Sequence, residues 1–179
     1  MNMEDRLKYI LQFVNDWLKF SEAKNGALAA LVGVILSKFS SELLISASGW
    51  VWWCNAIGIC SIAISGILSL LSFVPNLTFR WKPKTNEQSA TRNLFYFGNI
   101  ADMSPFDYLD AIYQADACGS NPNKKLEVDL AGQIVTNSGI AMRKYRYFTL
   151  ALKIALIGFV LIGIANFAIG ILHSQNAHI

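Results

Sequence analysis

Residues 50–74 read WVWWCNAIGICSIAISGILSLLSFV, a run of 25 residues without a charged side chain. A helix rises about 1.5 Å per residue, so about 20 apolar residues are enough to cross the hydrocarbon core of a bilayer. The run therefore predicts a transmembrane helix. Ser61, Ser65 and Ser69 recur in it every four positions, and small residues at that spacing are typical of a close helix–helix seam.

Two further apolar blocks flank this run. Residues 26–47 read GALAALVGVILSKFSSELLISA, and residues 148–172 read FTLALKIALIGFVLIGIANFAIGIL. The second block carries one charge, Lys153, near its start, and the first carries Lys38 and Glu42 in its outer half. We predict an all-α integral membrane protein with three transmembrane helices, two within residues 26–74 and the third at 148–172.

Composition excludes several classes of protein. The 179 residues are 54% hydrophobic and 15% charged, with a net charge of +3, whereas soluble domains average about 25% charged residues. A disordered chain would be less apolar and more charged, and three cysteines do not make a disulfide scaffold. No metal-ligand, phosphate-loop or nucleophile motif occurs, so we expect neither an enzyme nor a cofactor.

The distribution of cations predicts the orientation. Four lysines and arginines precede the first span and nine lie between the second and third spans, whereas the link 46–49 and the tail 173–179 carry none. Cations concentrate on the cytoplasmic side. The segments 1–25 and 75–147 should therefore be cytoplasmic and the tail external, as in a multi-pass protein of the bacterial inner membrane.

The segment 1–25 has helical periodicity. Apolar residues share one stripe of a helix over residues 4–21, with charged residues largely off it; the stripe consists of Leu7, Ile10, Leu11, Val14 and Leu18. This pattern predicts an amphipathic helix that lies on the bilayer or packs against partner helices.

The segment 75–147 predicts a cytoplasmic helical module. It opens with a loop at 75–91, and Ser104-Pro105-Phe106-Asp107 has the capping serine, first-turn proline and acid of a helix start. Another helix begins at Lys124 and contains no strong breaker before the third span. We therefore expect one helix to continue from the cytoplasm into the membrane, where it could transmit a signal.

Polar residues in the first span have two interpretations. Lys38 could extend to the outer interface and pair with Glu42, or an oligomeric pore could place these residues near its outer mouth. On the second interpretation the pore-lining residues are Val34, Ser37, Lys38, Ser41 and Glu42.

Cations and aromatic residues are interleaved at two places in the cytoplasmic module. The first group contains Arg92, Phe95 and Tyr96, and the second contains Arg143, Lys144, Tyr145 and Arg146. Arginine and lysine suit phosphates, and aromatic faces suit nucleobases. The second group alone is also explained as a positive cluster at a membrane boundary, so the ligand-binding role depends on further support.

Three stretches together resemble a known family. These are Glu22-Ala23-Lys24-Asn25-Gly26, then Asn93–Ala101 with Ser104–Leu109, and finally Asp129-Leu130, Gln133-Ile134 and Ala141-x-x-Lys144-Tyr145. Their order resembles the transmembrane effectors of bacterial anti-phage systems, especially the Pycsar membrane effectors. The resemblance implies a nucleotide signal made by a partner cyclase and impairment of the inner membrane. The channel effector of the Hailong system is a related possibility, and it implies a DNA oligomer from a partner nucleotidyltransferase that holds the channel shut.

The leading hypothesis is a homo-oligomeric ion channel or pore that a nucleotide or oligonucleotide controls, and that depolarises the membrane to cause growth arrest or cell death. A pore implies a symmetric assembly, since three spans do not readily enclose a conduit. The resemblance implies that this assembly is a tetramer. A non-channel membrane scaffold that recruits a soluble partner through residues 4–21 is the alternative. A small transporter is a third option.

Overall fold

A computed structural model describes residues 2–45, 49–74, 93–115 and 125–176; for 39–45 and 171–176 it describes the backbone alone. Most of the described residues are helical, and none of them lies in a strand. The helices are α1 (Met3–Ile45), α2 (Gly49–Leu71), α3 (Phe97–Ile100), α4 (Pro105–Ala115) and α5 (Lys125–Asn176). The predicted all-α class is confirmed. The predicted loop 75–91 and residues 177–179 of the predicted external tail lie outside the described residues.

The chain divides into two compact units. The first combines Met1–Glu22 with Pro75–Tyr145, and the second combines Ala23–Val74 with Arg146–Ile179. Helices α1 and α5 each contribute to both units. Helix α5 is continuous over 52 residues, as the lack of a strong helix breaker between residues 124 and 172 predicts.

The first unit has its own apolar core. The stripe residues Leu7, Ile10 and Val14 of α1 are buried there with Tyr108 of α4 and Ile134 of α5. Burying such side chains contributes about 1.5–3 kcal/mol each. Leu7, Ile10 and Val14 of the N-terminal stripe are thus covered by the other helices of their own unit, and Leu11 and Leu18 are half-buried.

Helix α4 begins where its capping residues predict. Ser104 Oγ accepts a hydrogen bond from the Asp107 backbone N–H at 2.8 Å, and Asp107 Oδ2 accepts one from the Ser104 backbone N–H at 3.4 Å. This reciprocal pair satisfies N–H groups that lack partners inside the helix.

The described residues contain two helices long and apolar enough to cross a membrane, Gly49–Leu71 and Lys125–Gly170. Only 33% and 22% of the residues in their most apolar windows are buried, whereas a core helix of a soluble protein is mostly buried. The first predicted span, 26–47, lies in α1 up to Ile45, and the described residues do not confirm it as a third span. The count of three remains a prediction.

Helices α2 and α5 approach closely within the second unit. A Cβ atom added at Gly158 would lie 2.7 Å from the backbone oxygen of Gly58, and one added at Gly58 would lie 3.0 Å from that of Gly158. Ser65 and Ser69 of α2 are fully buried, as the serine spacing predicts. Ser61 is half-buried and its hydroxyl donates to the Ile57 carbonyl oxygen at 2.8 Å.

Candidate functional site

An aromatic cluster joins the two predicted ligand-binding groups. The ring of Phe97 stacks on that of Tyr145, with centroids 5.2 Å apart and planes inclined by 22°. Tyr96 lies 5.0 Å from Phe97, and Trp17 of α1 lies 5.6 Å from Phe97 and 6.3 Å from Tyr145. Aromatic rings attract one another at such separations. Residues that the sequence predicts as two separate groups therefore meet in the first unit.

The predicted phosphate-binding cations have different surroundings. Lys144 is buried, and its Nζ lies 2.8 Å from Glu22 Oε1, so an acid already compensates its charge. Arg143 is half-buried, whereas Arg146 is exposed and belongs to the second unit. Arg92 lies outside the described residues. A ligand phosphate at Lys144 would have to compete with Glu22, and the ligand-binding role of these cations remains a prediction.

Phe95 lies apart from the aromatic cluster, with its side chain 47% exposed. It lines a small cleft of about 100 Å³ together with Arg6 and Leu94. The Phe95 backbone N–H donates to Asn93 Oδ1 at 2.9 Å, and Tyr108 donates its hydroxyl to the Leu94 carbonyl oxygen at 3.0 Å. Burial raises the pKa of Tyr108, so its phenol stays protonated as this bond requires.

A larger groove of about 570 Å³ lies between the start of α4 and one face of α5. Its lining residues are Pro105, Phe106, Val128, Asp129, Gly132, Gln133, Thr136 and Asn137. Asn137 Nδ2 also donates to Asn15 Oδ1 at 2.8 Å. Hydroxyl and amide groups let the groove donate and accept hydrogen bonds. Asp129 is the charged residue in this lining and it is an acid, which does not favour a phosphate.

The predicted pore-lining residues lie on α1. Val34 is 61% exposed, Lys38 is exposed, and the Ser37 hydroxyl donates to the Val34 carbonyl oxygen at 2.9 Å. The side chains of Ser41 and Glu42 lie outside those described, and with them the suggested pairing of Lys38 with Glu42. The pore assignment remains a prediction.

Three residues of the first unit were not predicted from the sequence as members of a site: Trp17, Glu22 and Arg6. A signal for Trp17 was available, since the helical stripe through Leu7, Ile10 and Val14 reaches residue 17 at its next step. Glu22 and Lys144 both lie in the stretches that carry the family resemblance, and their opposite charges were a weaker signal. Arg6 stands among other N-terminal cations, and no local pattern sets it apart.

Comparisons with known proteins identify one protein family. The family described as the Pycsar effector protein domain matches residues 6–170. Among curated proteins, the Pycsar effector protein PtPycTM of Propioniciclava tarda is 26% identical over 155 residues, which are 84% of this chain and 72% of that protein. No solved structure matches the chain significantly. The matched region takes in residues of both structural units.

Proposed function

This chain belongs to the Pycsar effector protein family, and from that premise we propose that it is an anti-phage membrane effector that responds to a cyclic nucleotide. The observation that carries the proposal is the family match over residues 6–170, which takes in both the aromatic cluster and the apolar helices. A partner cyclase would make the signal. The two largely exposed apolar helices support a location in the membrane.

The proposed output is an oligomeric ion channel or pore in the bacterial inner membrane. The chain supplies few spanning helices, so a conduit would need several copies in a closed symmetric assembly, for which we propose a tetramer. Val34, Ser37, Lys38, Ser41 and Glu42 would line the pore, with Lys38, Ser41 and Glu42 near its outer mouth. Current through the pore would depolarise the membrane and cause growth arrest or cell death. The amino terminus would be cytoplasmic and the carboxyl terminus external.

The proposed sensor is the first unit. Its aromatic cluster offers ring faces for stacking, and Arg92 and Arg143 of the same unit would supply positive charge for a phosphate. Helices α1 and α5 each run from the first unit into the second without a break. A change in the first unit could therefore reach the apolar helices through continuous backbone.

The experiment is a flux assay on the whole protein. Purified protein in liposomes loaded with a fluorescent ion reporter is exposed to each common 3′,5′-cyclic nucleoside monophosphate, and separately to short DNA oligomers. A cyclic nucleotide should change the flux, while protein-free liposomes should not respond. A response to DNA oligomers alone would replace the proposed signal. No flux under any condition, from protein shown to be inserted and folded, would overturn the channel and leave the scaffold as the better hypothesis.

A further inference from the structure

The groove between α4 and α5 is large enough for a whole nucleotide. Its volume of about 570 Å³ falls within the range of about 300–1,000 Å³ that is usual for small-molecule sites, and it lies wholly within the first unit. The cleft beside Phe95 has only about 100 Å³, less than the cavity of about 150 Å³ that holds one benzene molecule. Its cation, Arg6, already has an interaction partner. The groove is therefore the better site for a nucleotide.

An aromatic ring and an open stretch of helix line this groove. Phe106 of α4 is 63% exposed, and an aromatic face stacks on any nucleobase. Gly132 of α5 also lines the groove, and a Cβ atom added there would meet nothing within 4 Å. A flat base can thus lie close to the α5 backbone at Gly132. In the aromatic cluster, by contrast, Phe97 and Tyr145 already stack on each other.

Polar side chains of α5 line the same groove. Gln133, Thr136 and Asn137 supply two amides and a hydroxyl, groups that both donate and accept hydrogen bonds. A ribose hydroxyl and the polar edge of a base need partners of both kinds. The lining therefore suits the nucleoside part of a nucleotide.

Asp129, Thr136 and Arg143 form one stripe of α5. They follow one another at intervals of seven residues, close to two helical turns, so they share a face and are spaced by about 10 Å along the axis. Asp129 and Thr136 line the groove, and the half-buried Arg143 lies beyond Thr136. Long side chains on a helix point toward its N-terminus, so an arginine at position 143 can reach back toward the groove.

Arg143 also differs from its neighbour in its surroundings. Among the described residues Arg143 makes no ion pair, whereas Lys144 is paired with Glu22. The planar guanidinium of arginine presents several N–H donors that match phosphate oxygens. The stripe therefore carries an acid at one end and a cation suited to phosphate at the other.

We propose that this groove binds the cyclic nucleotide, with the base stacked on Phe106 and the phosphate bonded to Arg143. Asp129 sets the orientation, because its carboxylate repels the phosphate at one end of the stripe while the guanidinium attracts it at the other. The inference rests on the proposed function. It adds the location of the binding site, and it places the base at Phe106 instead of the aromatic cluster.

The test is isothermal titration calorimetry of the full chain in detergent, with the 3′,5′-cyclic monophosphates of adenosine, guanosine, cytidine and uridine. Phe106→Leu should weaken binding about 5- to 100-fold through loss of base stacking. Arg143→Gln should weaken it about 10- to 100-fold, the loss expected for one charge-assisted hydrogen bond. Gly132→Trp should fill the groove and abolish binding.

The acid at the other end of the stripe gives a change of opposite sign. Asp129 is exposed, and Asp129→Asn should bind the nucleotide about two- to five-fold more tightly at low salt, because a repulsion between exposed charges is removed. The gain should shrink as salt is added, since ions screen such charges. A purely structural role for Asp129 predicts no gain that depends on salt.

Matched controls make similar changes in the same unit. Phe95→Leu alters an aromatic residue outside the groove that is 47% exposed, and Lys19→Gln removes a cation of α1 whose side chain is 76% exposed. Both should bind as the wild type does. Gly132→Ala adds one methyl group and should leave the groove open, and Phe106→Tyr should retain affinity because the ring remains. Circular dichroism checks that each variant is folded.

The outcomes separate the location from the function. Wild-type binding with unchanged affinity in folded Phe106→Leu, Arg143→Gln and Gly132→Trp overturns the groove and leaves the proposed signal intact. Weaker binding in Asp129→Asn overturns the orientation, because the acid would then hold the ligand instead of repelling its phosphate. Wild-type protein that binds none of the four nucleotides overturns the proposed signal, and the groove assignment with it.

Discussion

The side-chain amine of Lys144 lies 2.8 Å from the carboxylate of Glu22, although 122 positions separate them. Lys144 is 7% exposed, whereas the Glu22 side chain is 45% exposed. A buried charge is costly unless it is paired, so Glu22 explains how α5 can carry a lysine inside the first unit. Glu22 is the last residue that α1 gives to that unit, and Lys144 is the last but one from α5. The ion pair therefore links α1 to α5 at the point where both helices leave the first unit.

Glu22→Gln should destabilise the protein by about 1–2 kcal/mol, because it leaves the Lys144 ammonium buried without its counter-charge. This is less than the cost of breaking a fully buried pair, since solvent screens the half-exposed Glu22. Lys144→Met combined with Glu22→Gln should recover part of the loss, because the double variant buries no charge at this position. The free energy of unfolding, measured by denaturant titration in mild detergent, checks both.

An exposed ion pair of α1 provides the control. Asp16 and Lys19 lie 3.6 Å apart, with side chains 62% and 76% exposed, and exposed pairs contribute little to stability. Asp16→Asn should leave the unfolding midpoint unchanged. An equal loss in Asp16→Asn and Glu22→Gln would show that burial of Lys144 has no special energetic role.

Removal of the α4 cap should loosen that helix. Ser104→Ala deletes the hydroxyl that accepts the Asp107 N–H, and loss of such a cap costs about 1 kcal/mol. Hydrogen exchange of the amides at the start of α4 should speed up in this variant. Ser104→Asp keeps an accepting oxygen and should exchange as the wild type does; equally fast exchange in both variants would contradict the capping role.

Tyr108 should make stability depend on alkaline pH. Burial raises its pKa in the folded state, whereas an unfolded tyrosine ionises near a pH of about 10. Below that pH the phenol is protonated in both the folded and the unfolded state, and its contribution to the free energy of unfolding is fully present. Above it the unfolded chain releases the proton first, so the free energy of unfolding falls by about 1.4 kcal/mol per pH unit.

Tyr108→Phe isolates this effect. At neutral pH the variant should be less stable by about 1–2 kcal/mol, because the Leu94 carbonyl oxygen loses its donor inside the protein. Above a pH of about 10 the difference should shrink, since phenylalanine cannot ionise. Denaturant titrations at several pH values give the free energy of unfolding of the two proteins. A difference that stays constant over the whole pH range would refute the assignment of the alkaline pH dependence to Tyr108.

Local features of the sequence were predictable, and contacts between distant residues were not. The start of α4 follows from Ser104 and Asp107, which lie within one turn of each other. The partner of Lys144 depends on how α1 packs against α5, and no local pattern encodes that. Neighbours can also separate: Tyr96 joins the aromatic cluster while Phe95 lines the cleft. A ligand-binding group drawn from sequence alone therefore mixed residues of two different surroundings.

The close approach of α2 and α5 should depend on glycine. In Gly158→Ala the new methyl group would lie 2.7 Å from the Gly58 backbone oxygen and 2.8 Å from Ile62 Cγ1. Because one of these neighbours is backbone, the helices must move apart, at a cost of about 1–3 kcal/mol. Gly163→Ala is the matched control on the same helix, since a Cβ there meets nothing within 4 Å and alanine favours a helix. Thermal unfolding in detergent should show a lower midpoint for Gly158→Ala and an unchanged or higher one for Gly163→Ala; equal midpoints in the two variants would mean that α2 and α5 do not pack this closely.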